Sequence, residues 1–247
     1  MPVPVEVEAL ARLYGVSDEA QTQHLVQLSV ISRQRMWWRD ERLNEDFMNF
    51  VAFENDASEL FSYQTTIVPA LLQTEAYARA AISSILGLSP DEPGVWKRVD
   101  VCLRRQEMLL NRLNGESPPT LSQVIDESVL HRPVGGANVM EAQLDHLMAM
   151  AERPEIKVVV LPVRLSIHPG LGGAFDLLTF MDDMDIDVVL IETAATDFLL
   201  TEPEITQTYR RIMADLLAID SADTSLEMAI AGARSALGRT SGNRPRH

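Results

Sequence analysis

The chain has 247 residues, 46% of them hydrophobic, and a net charge of −15, enough to bury roughly 70% of the surface of its unfolded form in one large domain or one domain with a small appendage. No apolar run approaches the ~20 residues that cross a bilayer. Only Lys97 and Lys157 are lysines, and the arginine clusters SRQRMWWRDER (32–42) and KRVDVCLRR (97–105) are interleaved with acids, so the basic face that neutralises nucleic-acid phosphates is absent and a small molecule or a protein is the expected partner.

Val5–Tyr14 reads as a short helix closed by Gly15, and Ser17 opens a second helix with Asp18 and Glu19 in its first turn. Leu25, Leu28 and Ile31 form its apolar stripe, which runs to Met36, Trp37 and Trp38. A third helix from Asn44 to about Asp56 turns Phe47, Phe50, Val51 and Phe53 inward with Glu54 among them. Phe61–Val68 reads as extended, and Pro69 keeps it so. Thr74 then caps a helix in which Tyr77, Ala81 and Ile85 share a face and which Gly87 ends. Gln73 is not needed for capping and is left to bind something. A helix over Val95–Leu113 presents Trp96, Val99, Leu103, Leu110 and Leu113.

Leu121–Leu130 reads as a strand interrupted by Glu127 and Ser128. Pro133, Gly135 and Gly136 make a turn, and Met140, Leu144, Leu147, Met148 and Ala151 mark another helix. IKVVVLPV (156–163) is apolar on both faces, which predicts a central strand. Ala174–Phe180 and Val188–Glu192 pair as antiparallel strands, with Phe198–Leu200 a short addition. Thr201-x-x-Glu204 and Thr224-x-x-Glu227 are capping boxes that open two last helices. Ile205, Tyr209, Ile212 and Leu216 face inward on the first of these. The order predicts an α+β fold: a helical N-terminal part, a small, mostly antiparallel sheet covered by helices, and C-terminal helices. The divisions are 1–43, a helical segment; 44–237, the α+β domain; and 238–247, a polar tail expected to be disordered.

Most chemical motifs fail. GLGGAF (170–175) lacks the third glycine of a dinucleotide loop and precedes a strand. MDDMDID places Asp183, Asp185 and Asp187 like a calcium loop, without its glycine and final glutamate. His24, His131, His146 and His168 lack metal-ligand spacing, and the lone Cys102 cannot complete a zinc set. It reads as a small core residue of a cytoplasmic protein, and no leader for secretion opens the chain. No metal or cofactor is expected. What remains is a polar set in apolar surroundings: Glu54, Gln73, Tyr77, Arg105, Glu127, His168 and Glu192. Buried carboxylates need partners, so the set implies a structural network through Arg105, a polar pocket, or an acid–base site.

IVPALLQTEAYARA (67–80) resembles the VPGLLQTEDYARA signature of the C-terminal domain, labelled as of unknown function, of actinobacterial helix-turn-helix regulators of the antitoxin-like kind. Glu54 with Ala57, RRQEMLL (104–110), IDESVLHRPVGG (125–136), EAQLDHLMAMAERPEIKVVVLP (141–162), HPGLGGAFDLLTF (168–180) and VVLIE (188–192) follow in the family's order, so the resemblance spans roughly 5–237. Ala70 replaces a usual glycine and Leu190 a usual tyrosine. VEVEALARLYGVSD (5–18) is similar to the last helix of the family's phage-repressor-type reader, which makes 1–43 the remnant and linker of a helix-turn-helix domain and places the recognition helix outside this chain.

The resemblance implies a non-catalytic regulatory domain that senses a small ligand or a small partner protein, with a second copy of the chain as a further candidate partner. Trp37, Trp38 and Trp96 would wall its pocket. One alternative is a regulator-derived enzyme of specialised metabolism in which His168, Glu54, Glu127 or Glu192 serves as acid or base. Another is an antitoxin-like protein that only neutralises its partner.

Overall fold

The computed structural model describes residues 4–16, 18, 22, 26, 44–181, 186–193, 196–219 and 225–242, and the chain divides into two units, Met1–Arg42 and Leu43–His247. In the first unit α1 spans Pro4–Leu13, with Glu6 in its first turn and Arg12 in its last. Gly15, at φ +80°, ends it. The Gly15 amide donates to the Arg12 carbonyl and the Val16 amide to that of Ala11, the double bond of a Schellman cap that a glycine admits without strain. The expected second helix, with its Leu25–Ile31 stripe and Trp37–Trp38, falls largely outside the described residues.

In the second unit α2 (Glu45–Glu54) begins where the Asn44 side chain accepts from the amides of Asp46 and Phe47, and Glu45 and Asp46 sit at its positive end. The next elements are β1 (Glu59–Gln64), a 3-10 turn (Ala70–Leu72), α3 (Glu75–Leu86) and α4 (Pro93–Leu113). Then come β2 (Thr120–Asp126), the short α5 (Glu127–Leu130), α6 (Ala137–Ala151) and β3 (Ile156–Leu161). A second 3-10 turn (Pro169–Gly172) leads to β4 (Phe175–Thr179), β5 (Val188–Glu192) and β6 (Asp197–Leu200), and α7 (Pro203–Ala218) and α8 (Leu226–Gly242) close the chain. No helix among the described residues is long and apolar enough to cross a membrane.

The α+β architecture stands. The strands form one sheet in the order β3-β2-β1-β4-β5-β6. Pairings β1/β4, β4/β5 and β5/β6 are antiparallel, whereas β1/β2 and β2/β3 are parallel. Parallel neighbours need crossovers, which α3–α4 and α5–α6 supply. Because side chains alternate along a strand, the sheet has two distinct faces. Leu60, Leu121, Ile125, Val160, Leu178 and Leu190 belong to a core shared with α2, α3, α4, α6 and α8. Phe61, Tyr63, Val124, Leu161, Leu177 and Val189 pack with Met213 and Leu216 of α7.

Several local expectations change. β3 is an edge strand, not a central one; it is apolar on both sides because Ile156 and Val160 join the first core while Val159 and Leu161 join the second. The strand expected to reach Leu130 stops at Asp126, whose carboxylate caps the amide of Ser128 and starts α5. Thr74 caps α3 and Gly87 ends it, but Ile85 is exposed. Trp96 is 39% exposed beneath the Arg79 guanidinium, so it walls no pocket. The first capping box is not formed: Glu202 precedes α7 without a side-chain cap, and Ile205 is 37% exposed. Ser225 accepts from the Met228 amide at the start of α8; Thr224 lies outside the described residues, as do Asp183 and Asp185. Helix α8 runs to Gly242, past Leu237 where the polar tail was expected to begin, and residues 243–247 lie outside the described part.

On the second face the second 3-10 turn approaches β1 closely. A Cβ on Gly170 would stand 2.5 Å from Cε1 of Tyr63, a fully buried ring. Gly170→Ala is therefore expected to lower stability by about 1–3 kcal/mol through overpacking, seen as a lower urea midpoint at unchanged slope; an unshifted midpoint would remove this contact as a constraint.

Candidate functional site

On the first face three adjacent strands break the apolar pattern at one level. The register sets Ser62 of β1 opposite Gln123 of β2 on one side and opposite Asp176 of β4 on the other. Gln64 and Glu192 lie on the same face one step further along β1 and β5. Above this polar row Glu54 comes from the end of α2 and Arg105 from the middle of α4, and together these side chains line a cavity. Its volume is about 40 Å³, room for a small polar head group.

Arg105 donates from Nε and from Nη2 to the two oxygens of Glu54, each at 2.7 Å. Both side chains are under 10% exposed. The guanidinium also stands 5.3 Å and 5.8 Å from the ring centroids of Phe47 and Phe50. Burial works against the charge on Arg105, but the facing Glu54 more than offsets it and raises the pKa. Arg112, from the same helix, donates to the backbone carbonyls of Glu54 and Ala57 and fixes the C-terminal end of α2 to α4.

Among the described residues the other two carboxylates of the lining make no such ion pair. Burial pushes the Asp176 carboxyl up to about 6, against hydrogen bonds from Ser62 and Gln64 and the positive charge of Arg105. Burial and then the Asp176 charge push Glu192 up to about 7, with Arg105 and Arg98 pulling the other way. Glu192 has protein packed around it yet remains exposed at the mouth, where water tempers the desolvation. Gln123 is 1% exposed; its Nε2 donates to the Ser122 carbonyl at 3.2 Å, and its buried Oε1 has no hydrogen-bond partner.

Of the seven residues expected from the sequence, the cavity unites Glu54, Arg105 and Glu192. Gln73 and Tyr77 lie behind the lining and hold the backbone of Val68, which is part of it. The buried Gln73 amide donates to the Val68 carbonyl at 2.6 Å, and the Val68 amide donates to the Tyr77 hydroxyl at 3.1 Å. Gln73 is therefore not available to a ligand. The stretch from Ile67 to Leu72 needs this support because little of it is regular structure. Gln106 donates to the carbonyls of Ala70 and Gln73, Cys102 donates to Ala70, and Gln143 donates to Leu72 while accepting from the Thr74 amide. Burial pushes the Cys102 thiol up to about 11, which suits a packing role.

Glu127 and His168 lie outside the cavity lining. Glu127 accepts from the Val163 amide at 2.9 Å and faces His131. His168 packs edge-on to Tyr63, on the opposite face of the sheet, with its Nδ1 buried and unpartnered. The residues not anticipated are Ser62, Gln64, Gln123 and Asp176. Their signal was available as polar residues at inward positions between apolar ones: Leu60-x-Ser62-x-Gln64, Leu121-x-Gln123-x-Ile125 and Asp176-x-Leu178.

Residues 47–228 match the family described as a domain of unknown function (DUF5753), and the chain belongs to that family. No curated protein matches the chain. No solved structure matches it either.

Two outcomes follow from this geometry. Removing one member of a buried pair strands the other charge, so Glu54→Ala is expected to lose about 3–5 kcal/mol in urea unfolding; a loss below about 1 kcal/mol would mean that Arg105 finds water or another partner. Asp176 behaves oppositely to a salt-bridged carboxylate. The folded state holds its proton more tightly, so between its ordinary 3.8 and about 6 the folded chain binds more protons and this group's contribution falls as pH rises. Asp176→Asn should therefore raise the Tm relative to the parent more at pH 8 than at pH 4. An equal difference at both pH values would contradict the raised pKa.

Proposed function

We propose that the chain is the regulatory binding domain of an antitoxin-like transcriptional regulator, acting in the cytoplasm without catalysis, and that it senses a small ligand or a small partner protein. The observation that carries this reading is the cavity roofed by α2, α4 and the Ile67–Leu72 stretch. A pre-aligned Glu54–Arg105 pair forms one wall, and polar side chains from β1, β2, β4 and β5 converge on the floor. Concave sites with a few convergent polar groups in apolar surroundings suit recognition of a small molecule. The roof includes α2, the first element of the second unit, so occupancy would act on the element nearest in sequence to the N-terminal unit. The sequence resemblance to regulators supplies the context in which such a report would be used.

The upward-shifted Asp176 and Glu192 favour a second reading, a regulator-derived enzyme whose acid and base are carboxylates. His168, one of the acid–base candidates read from the sequence, stands on the other face of the sheet and does not join them. Incubating the folded chain with an extract of its source organism, then identifying retained and altered compounds by mass spectrometry, separates the readings. Binding predicts an unaltered compound retained near one-to-one and lost in Glu192→Ala. Retention of nothing by the parent chain, with catalytic conversion of an extract component, would overturn the non-catalytic reading.

A further inference from the structure

We infer that this cavity receives a cationic nitrogen group, the ammonium or guanidinium head of a small molecule, seated between Asp176, Glu192 and the Oε1 of Gln123. The inference rests on reading the cavity as a binding site and names the chemistry it takes. Charge supplies the first argument. Arg105 is the one basic side chain among the lining residues, and two of its nitrogens are committed to Glu54. Glu54 is thereby neutralised, whereas among the described residues no cation is paired with Asp176 or Glu192 in the cavity. Arg98 acts on Glu192 from outside the lining. A ligand bearing positive charge completes the balance; an anion would meet two carboxylates.

Hydrogen bonding supplies an independent argument. Gln64 Nε2 donates to the Ser62 hydroxyl at 3.1 Å, and both side chains stand close enough to Asp176 to favour its charged form. Gln123 directs its amide nitrogen to the backbone, which leaves a buried amide oxygen unpaired. Native proteins seldom leave such an acceptor empty. Gln123 Oε1 and the two carboxylates are thus the acceptors that a donor-rich group would fill. Among the described residues no three carboxylate, imidazole or thiol side chains are grouped so as to hold a metal ion, so the group that fits is an organic cation. The mouth beside Glu192 leaves room for the remainder of such a molecule to project toward solvent.

The test is titration calorimetry on the folded full chain at pH 8 with agmatine and n-butylamine, against butyrate and n-pentanol as anionic and neutral analogues. The amine and the guanidine are expected to bind and the analogues not to. Asp176→Asn and Gln123→Met should each weaken that binding at least tenfold while circular dichroism shows the fold unchanged. Gln123→Met removes the unpaired acceptor together with the long Nε2 bond to the Ser122 carbonyl and changes no charge, so it keeps the test valid even if a charge change perturbs folding. An acetyl-Gly-Arg-Gly-amide arm identifies the source: agmatine binding at least as tightly points to a free compound, and binding by the peptide alone overturns the small-molecule assignment in favour of a basic side chain of a partner. Equal binding of cationic, neutral and anionic analogues, or variants that bind like the parent, overturns the inference. A neutral or anionic extract compound retained through Glu192 would overturn it and leave the binding reading standing. Failure of every cation together with an extract that yields no retained compound would remove both.

Discussion

The bidentate contact between Glu54 and Arg105 is the constraint around which the site is arranged. It joins α2 to α4 across a separation of 51 residues in sequence, and it does so where neither group can rely on water. An ion pair of this kind contributes little net stability, because desolvation consumes most of the attraction. Its geometric effect is larger. A planar guanidinium gripped by both carboxylate oxygens and flanked by Phe47 and Phe50 has one orientation. Arg112 then anchors the carbonyls at the end of α2 to the same helix. The roof of the cavity is therefore set by polar contacts with defined angles, while the surrounding apolar core accepts a wider range of packings.

The fold was legible wherever one periodicity dominated. Helices α3, α4 and α6 and strands β4 and β5 carry clean patterns, with Thr74 and Gly87 marking the ends of one of them. Errors arose where an apolar pattern had more than one cause. Burial on both faces made β3 read as central, yet helices on one side and α7 on the other bury an edge strand just as well. A residue inside a hydrophobic run can likewise open a new element, as Glu127 does once Asp126 caps α5. Strand direction was the least accessible feature. The parallel pairing of β1 and β2 depends on where α3 and α4 return the chain, and no local pattern encodes that.

The site was half legible for a related reason. Glu54 and Arg105 stood out because a carboxylate or a guanidinium amid aromatic and aliphatic neighbours demands a partner. Gln73 was misread because its partner, the Val68 carbonyl, belongs to an irregular stretch whose unpaired backbone groups do not show in the sequence. A segment without helix or strand must still satisfy each buried amide and carbonyl, and Gln73, Tyr77, Gln106 and Gln143 perform that task. The QTEAYARA signature is thus explained locally: Gln73 and Tyr77 serve the backbone of the IVPALL segment before them, Thr74 caps α3, and residues of that segment line the cavity.

What brings the floor together is topology. β1 is the strand at which the sheet changes from parallel to antiparallel, so Gln123 and Asp176 approach Ser62 from opposite sides although 53 residues separate them in sequence. A slip of one residue between β1 and β4 would turn Asp176 to the other face and bring Phe175 or Leu177 into its place. Two features oppose that slip. At one end of the pair the Ser58 amide and hydroxyl both donate to the Thr179 carbonyl, at 2.9 and 3.0 Å. On the far face Phe61 packs on Phe175 at 5.4 Å and Phe175 on Tyr209 of α7 at 4.8 Å. Phe175 and Tyr209 lie outside the cavity lining, yet their burial selects the register that aims Asp176 into it. The apolar face of the sheet thereby meets the cost of carrying an under-compensated carboxylate on the polar one.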